Sequence, residues 1–278
     1  MKIACVQMTS ACDTADNLPV IAGRVTAAAE KGARLVALPE TCSFMEKNRK
    51  AMQARLERQG NSAVLAELQA MAQENDIYLL VGSMILADEN SDKAVNRSLL
   101  IAPDGAVQAQ YDKIHMFDVA LENGESHLES AAYQAGDKLA VTKADNVMLG
   151  LSICYDVRFP ALYRRLAEAG AQVIFVPSAF TKQTGEAHWH ILLRARAIET
   201  GCFIVAPAQI GVHENGRETY GHSLIIDPWG EILAEALDDD EVIIAAMDVA
   251  LVDKARRQIP ALHHGAAYRL PEGGQGQD

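Results

Sequence analysis

Cys154 closes the apolar run 147–153, and Tyr155-Asp156-Val157-Arg158-Phe159-Pro160 follows at once, ahead of a helical pattern over 161–170. A thiol at such a strand-to-helix turn can point out of its sheet, as the serine of a nucleophile elbow does, and the dipole of the following helix favours its thiolate. The competing role is that of a small apolar side chain buried at a strand end. Three further residues stand where strand ends deliver side chains. Glu40 follows Leu35-Val36-Ala37-Leu38-Pro39, and a carboxylate there is costly unless paired or used. Lys113 lies just past a hairpin, in Tyr111-Asp112-Lys113-Ile114-His115. Glu129 sits in an irregular stretch before the Cys154 strand. Taken singly, these are equally a loop carboxylate, a surface lysine and a second loop carboxylate.

Taken together they meet the needs of a cysteine attacking an amide carbonyl. Such a reaction requires a base for the thiol proton, a donor for the oxyanion and an acid for the departing amine. Glu40, with a pKa expected to rise on burial, can act as base and then as acid. Lys113 and the backbone N–H of Tyr155 can face the oxyanion, and Glu129 can hold Lys113 in place and keep it protonated.

The elements that must position these groups alternate along the chain. Strand-length runs occur at 2–8, 34–38, 77–83, 147–153, 172–176, 202–206 and 242–248. Helical patterns cover 17–32, 62–75, 161–170 and 187–200. Pro103-Asp104-Gly105 predicts a hairpin between 94–102 and 106–111, and Asp227-Pro228-Trp229-Gly230 another between 224–226 and 232–233. This mixture of crossovers and hairpins is α/β architecture with mixed sheets. The segment 30–39 is echoed by 168–177: each has a helix end, a Gly-Ala cap, an apolar strand and a proline. The echo predicts two half-domains related by a pseudo-twofold.

Composition narrows the function classes. The chain has 278 residues, 49% hydrophobic, and a net charge of −12 with no basic cluster. That argues against nucleic acid and against anionic membranes as partners. No run reaches the ~18 apolar residues of a membrane span. The five cysteines form no C-x-x-C pair, which predicts neither disulfides nor zinc and fits a reducing cytoplasm. The histidines at 188, 190, 213, 222, 263 and 264 show no metal-ligand spacing.

The chain resembles the nitrilase superfamily of carbon–nitrogen hydrolases. The resemblance rests on Leu38-Pro39-Glu40, Tyr111–His115, Ile153–Pro160, Pro177–Phe180, Thr184–Trp189, Arg194–Glu199, Tyr220–Ser223 and Asp227–Gly230, in that order. It implies a four-layer α-β-β-α sandwich over 1–270, with a flexible tail at 271–278, and protomers that pair as a homodimer or higher oligomer. It also implies a Glu-Lys-Cys triad on Glu40, Lys113 and Cys154, a second glutamate at Glu129, and no metal or organic cofactor. The nearest branch is that of the Nit-type amidases, including the deaminated glutathione amidases. Tyr155, Arg158, Phe180 and His188 on the matched motifs are the expected substrate contacts. Arg158, Arg194 and Arg196 each offer a fork for a substrate carboxylate or a structural ion pair. The expected substrate is thus a small carboxylated amide. A 2-oxoglutaramate-type acid, an N-carbamoyl compound or a nitrile are the alternatives, and a silent metabolite-binding protein is the alternative of another class. Residues 118–128 lack the Pro-Gly expected of this branch.

Overall fold

The computed structural model describes residues 1–120, 124 and 126–267. The expected tail at 271–278 lies outside the described residues, as do 121–123 and 125 of the loop that departs from the branch pattern.

The first half runs β1 (Lys2–Val6), α1 (Thr14–Glu30), β2 (Leu35–Ala37), α2 (Arg49–Arg55), α3 (Ala63–Glu74), β3 (Tyr78–Ala87), β4 (Ala94–Ile101) and β5 (Val107–Asp112). A short hairpin, β6 (Asp118–Ala120) and β7 (Ser126–Leu128), leads to the second half. That half comprises β8 (Ala140–Ala144), β9 (Val147–Leu151), α4 (Pro160–Glu168), β10 (Val173–Phe175), α5 (Lys182–Thr200), β11 (Phe203–Ala206), β12 (Ile210–Val212), β13 (Glu218–Tyr220), β14 (Leu224–Ile226) and β15 (Ile232–Glu235). β16 (Val242–Ala246) and α6 (Ala250–Gln258) complete it.

The echo between 30–39 and 168–177 reflects the topology. One six-stranded sheet has the order β16-β1-β2-β3-β4-β5 and the other β8-β9-β10-β11-β14-β15. In each, three parallel strands are flanked by an antiparallel pair on one side and a single antiparallel strand on the other. The α1–β2 junction therefore occupies the same place in its sheet as the α4–β10 junction.

Alternation along the strands builds the layers. Ile3, Cys5, Leu35, Ala37, Leu80 and Leu100 join Leu149, Leu151, Val173 and Phe175 of the other sheet in one core, which continues to α4 and α5 through Leu162, Leu166, Trp189 and Leu193. Their neighbours Ala4, Val6, Val36, Leu38, Leu79 and Val81 face α1 and α3 instead. Strands covered on both faces read as unbroken apolar runs, which is why the parallel ones were visible in the sequence. The result is the expected α-β-β-α sandwich.

Helix boundaries follow their caps. α1 starts at Thr14 rather than 17, because the Asp13 side chain accepts from the Ala15 N–H. α5 starts at Lys182 rather than 187. Thr184 and Gly185 are carried inside it, and Gly185 is there because a Cβ would lie 2.2 Å from the Tyr220 ring. Among the described residues, no helix is long and apolar enough to cross a membrane.

Gly82 governs the approach to the site from β3. A Cβ there would lie 1.9 Å from the Leu38 carbonyl oxygen and 2.5 Å from that of Pro39, and the β3–β4 register shifts beside it, between Val81 and Met84. Gly82→Ala is expected to displace the chain carrying Glu40 and to cost about 1–3 kcal/mol. The urea midpoint measures this; a midpoint equal to wild type would contradict it.

Candidate active site

In open α/β sheets, ligand sites lie beyond the carboxyl ends of the parallel strands. Here Glu40 lies three residues past β2 and Cys154 three past β9. Cys154 opens a one-turn 3-10 helix, Cys154–Arg158, with φ +48°. A non-glycine residue in that region costs about 1–3 kcal/mol and persists only if its surroundings impose it. They do so through its N–H, which donates to Pro177 O (2.9 Å), and through buried Asp156. The Asp156 carboxylate accepts from the Ile153 N–H (2.8 Å), the His115 N–H (3.1 Å) and the Tyr111 hydroxyl (2.7 Å). A 2.7 Å contact with His115 Nδ1 adds to these.

Lys113 and Glu40 are 2% and 4% exposed, so their charges must be balanced on site. Lys113 Nζ donates to Glu40 Oε1 (3.0 Å) and to Glu129 Oε1 and Oε2 (3.0 and 2.9 Å). Glu40 Oε1 also accepts from Asn96 Nδ2 (2.9 Å) and Oε2 from the Ala179 N–H (2.8 Å). The Cys154 thiol lies close enough to the same carboxylate for each to shift the other's ionisation. Glu129 Oε2 is fixed by the Phe117 N–H at 2.6 Å.

Two electrostatic expectations are corrected by this geometry. Burial pushes Glu40 up, but the Lys113 charge, the neighbouring thiol and the Arg217 charge together hold its carboxyl below the usual 4.5. Cys154 is pushed up, first by burial and then by the Glu40 charge, with Lys113 only partly opposing. The expected thiolate is absent because a short 3-10 turn, not α4, follows the sulfur, and a carboxylate lies against it. Lys113 would be lowered by burial, but Glu129 and Glu40 raise it well above the ordinary lysine value, so it is an ammonium.

A cavity of about 760 Å³ opens over this cluster. Tyr155 and Phe180 line it, together with Cys154, Glu40, Lys113 and Glu129. Arg158 and His188 do not line it. They face each other at 3.4 Å, and the Arg158 guanidinium stacks on Tyr155 and Phe180 from behind. Arg194 and Arg196 are structural: Arg194 Nε donates to Gly230 O, and Arg196 donates to Val157 O and Glu199. The lining residues missed from the sequence include Asn96 and Arg217. Asn96 is one of three consecutive polar residues in β4, Asn96-Arg97-Ser98, so nothing in the sequence singled it out. Arg217 left no signal either, since Gly216-Arg217 reads as an ordinary turn.

Outside the cavity, His190, His222 and Glu235 bring ligand atoms within 4.8 Å of one another. Spacing along the chain could not reveal this, because α5, a loop and β15 each supply one residue. The three could hold a divalent ion, but they already satisfy one another: Glu235 Oε1 lies 2.8 Å from His190 Nε2 and 3.1 Å from His222 Nδ1.

The sequence model of the carbon–nitrogen hydrolases matches residues 2–257. The chain belongs to the carbon–nitrogen hydrolase family. A deaminated glutathione amidase of Synechocystis sp. (strain PCC 6803 / GT-S) is 44% identical to this hydrolase, covering 94% of the chain and 96% of the relative. The Caenorhabditis elegans NitFhit protein superposes with a TM-score of 0.88 at 36% identity, over 95% of this chain but 64% of that one. The chain thus spans about two thirds of that fusion protein. A glutamate-to-glutamine mutant of the amidase from Nesterenkonia sp. AN1 superposes with a TM-score of 0.79 at 27% identity, over 93% and 94% of the two chains. That structure shows covalent addition of the acetamide moiety of fluoroacetamide at the active site cysteine. The present carbon–nitrogen hydrolase is accordingly a Nit-type member of the nitrilase superfamily that acts on amides.

Removing the ammonium should expose its structural weight. In the wild type the depressed Glu40 pKa contributes stability above the unfolded carboxyl value of about 4.3, lost as pH falls through the folded value. Lys113→Met leaves two facing carboxylates and should cost about 3–5 kcal/mol at pH 7. Glu40 is then raised, so the variant loses stability as pH rises above the unfolded value towards the folded one, whereas the wild-type Glu40 contribution is flat between pH 5 and 7. Urea unfolding across that range measures it, and a parallel pH dependence in both proteins would contradict it.

Proposed function

We propose that this carbon–nitrogen hydrolase cleaves a small carboxylated amide through a Cys154 thioester. The observation that carries the reading is one buried carboxylate, Glu40, ion-paired with the Lys113 ammonium, beside the Cys154 thiol on the wall of one cavity. The thiol is held protonated and the carboxylate ionised, so Glu40 takes the thiol proton as sulfur attacks the amide carbonyl carbon. The oxyanion develops against Lys113 and the Tyr155 N–H, a first-turn donor of the 3-10 helix without an intrahelical acceptor. Glu40 returns the proton to the leaving nitrogen, the C–N bond breaks, and the amine departs. Water then attacks the thioester, giving its proton to Glu40. Collapse of the second tetrahedral intermediate releases the acid, and the Glu40 proton restores the thiol. Glu129 fixes Lys113 and keeps it charged.

Deaminated glutathione is the substrate we favour, on the strength of the relatives so named and of a cavity with cations on its lining. We further propose a homodimer built on α5. Ile191, Ile198 and Trp229 are 71%, 54% and 51% exposed. The turn bearing Trp229 packs on α5, since Arg194 donates to Gly230 O. Unpaired thiols at all five cysteines suit a reducing compartment such as the cytoplasm.

Cys154→Ala should remove turnover of deaminated glutathione with unchanged circular dichroism, and Glu40→Gln should lower kcat by at least about 100-fold. Wild-type rates in either variant would sink the assignment. Because Glu40 lies below 4.5, the acidic limb of kcat/KM should inflect below that pH; an inflection above pH 6 would show a raised base instead. Trp229→Glu should yield monomers by light scattering, and an unchanged oligomer would exclude this face.

A further inference from the structure

The cations around the cavity are not equivalent. Lys47 and Arg49 are exposed on its rim. Lys182 is exposed and paired with Glu218 at 2.6 Å. Lys113 is buried and saturated by its two carboxylates. Arg217 differs from all of these. It is half-buried, its Nη2 donates to the Ala179 carbonyl, and its Nε is buried with no acceptor. Among the described residues, no carboxylate pairs with it. The nearby Glu46 and Glu218 are taken by Arg55 and Lys182. Its charge is felt by Glu40 only at longer range; a partly desolvated guanidinium without a direct ion pair is expensive, and its fork matches a carboxylate.

The side chain is also held in place. It projects from the turn joining β12 to β13, and that turn is anchored to both halves of the molecule. Asn215 Nδ2 donates to Met45 O (2.9 Å), and its Oδ1 accepts from the Arg217 N–H (2.9 Å). His213 bridges Ser10 O (3.0 Å) and Thr219 Oγ1 (2.8 Å), and the Tyr220 N–H donates to Phe180 O (3.0 Å). Ala179, whose carbonyl meets Arg217, donates its own N–H to Glu40. One residue therefore separates the guanidinium from the carboxylate that serves Cys154.

We propose that Arg217 seats the substrate's carboxylate, selecting amides that carry a carboxylate within a few bonds of the scissile carbonyl. The inference rests on the amidase reading above but concerns a different group. Binding here fixes the carbonyl over Cys154 and supplies Arg217 with a direct ion-pair partner.

The test compares glutaramate with the uncharged amide hexanamide as substrates, and separately measures glutarate binding by calorimetry. In wild type, kcat/KM should favour glutaramate. In Arg217→Met the glutaramate-to-hexanamide ratio should fall about 10- to 100-fold, chiefly through KM for glutaramate, the loss expected for a charge-assisted pair. Arg217→Lys should recover part of it. A purely structural role would lower both substrates together and leave the ratio unchanged, which would overturn the proposal. Glutarate should bind Cys154→Ala about 10- to 100-fold more tightly than Cys154→Ala/Arg217→Met; equal affinities would likewise overturn it. If wild type turns over neither amide while glutarate binding still depends on Arg217, the amidase reading fails and the carboxylate seat stands.

Discussion

A lysine ammonium buried between two carboxylates sets the terms for everything around it. Lys113 would be destabilised by loss of water at 2% exposure, and Glu40 and Glu129 by loss of theirs. The three are tolerable only together, and only with every polar atom aimed. The Glu40 oxygens accordingly receive Asn96, Ala179 and Lys113, while Glu129 receives Lys113 and Phe117. This cluster keeps Glu40 ionised beside a thiol that stays protonated. In the proposed mechanism the pair is a proton donor and an acceptor side by side, and an electrophile sets the transfer in motion.

The sandwich supplies the convergence. Its two halves repeat one topology, so the ends of β2 and β9 deliver Glu40 and Cys154 from opposite sheets. β5 adds Lys113, and the segment after β7 adds Glu129. Chain passages over the ends are then fixed by backbone contacts too close for side chains, as at Gly82, and by Asp156, which braces the strained turn at Cys154. Both devices act on position, and an error of about 1 Å here costs on the order of 100-fold in rate.

Much of this was legible in the sequence. Parallel strands buried on both faces announced themselves as apolar runs, Gly-Pro turns marked the hairpins, and the 30–39 and 168–177 echo revealed the duplication. Glu40 and Cys154 stood just past two of those runs, while Lys113 followed a hairpin strand and Glu129 lay in an irregular stretch. What stayed hidden depends on contacts distant in the chain. The sense of the Glu40 and Cys154 shifts follows from how Lys113, Arg217 and the thiol surround one carboxylate, which burial alone does not predict. Arg158, in the same motif as Cys154, and His188, in another of the matched motifs, do not line the cavity, whereas Arg217 reaches it from a hairpin with no apolar signature. The short β8, β12 and β13 and the helices α2 and α6 likewise lack a pattern strong enough to separate them from loop.

The proposed catalysis depends most on the protonation state of the Cys154–Glu40 pair. Thiolate absorbance at 240 nm, taken as the difference between wild type and Cys154→Ala across pH 5 to 9, reads that state directly. A protonated thiol beside an ionised Glu40 predicts no Cys154 thiolate step anywhere in this range. A step at or below pH 7 would mean that the sulfur is already ionised in the resting enzyme, and Glu40 would have no proton to take.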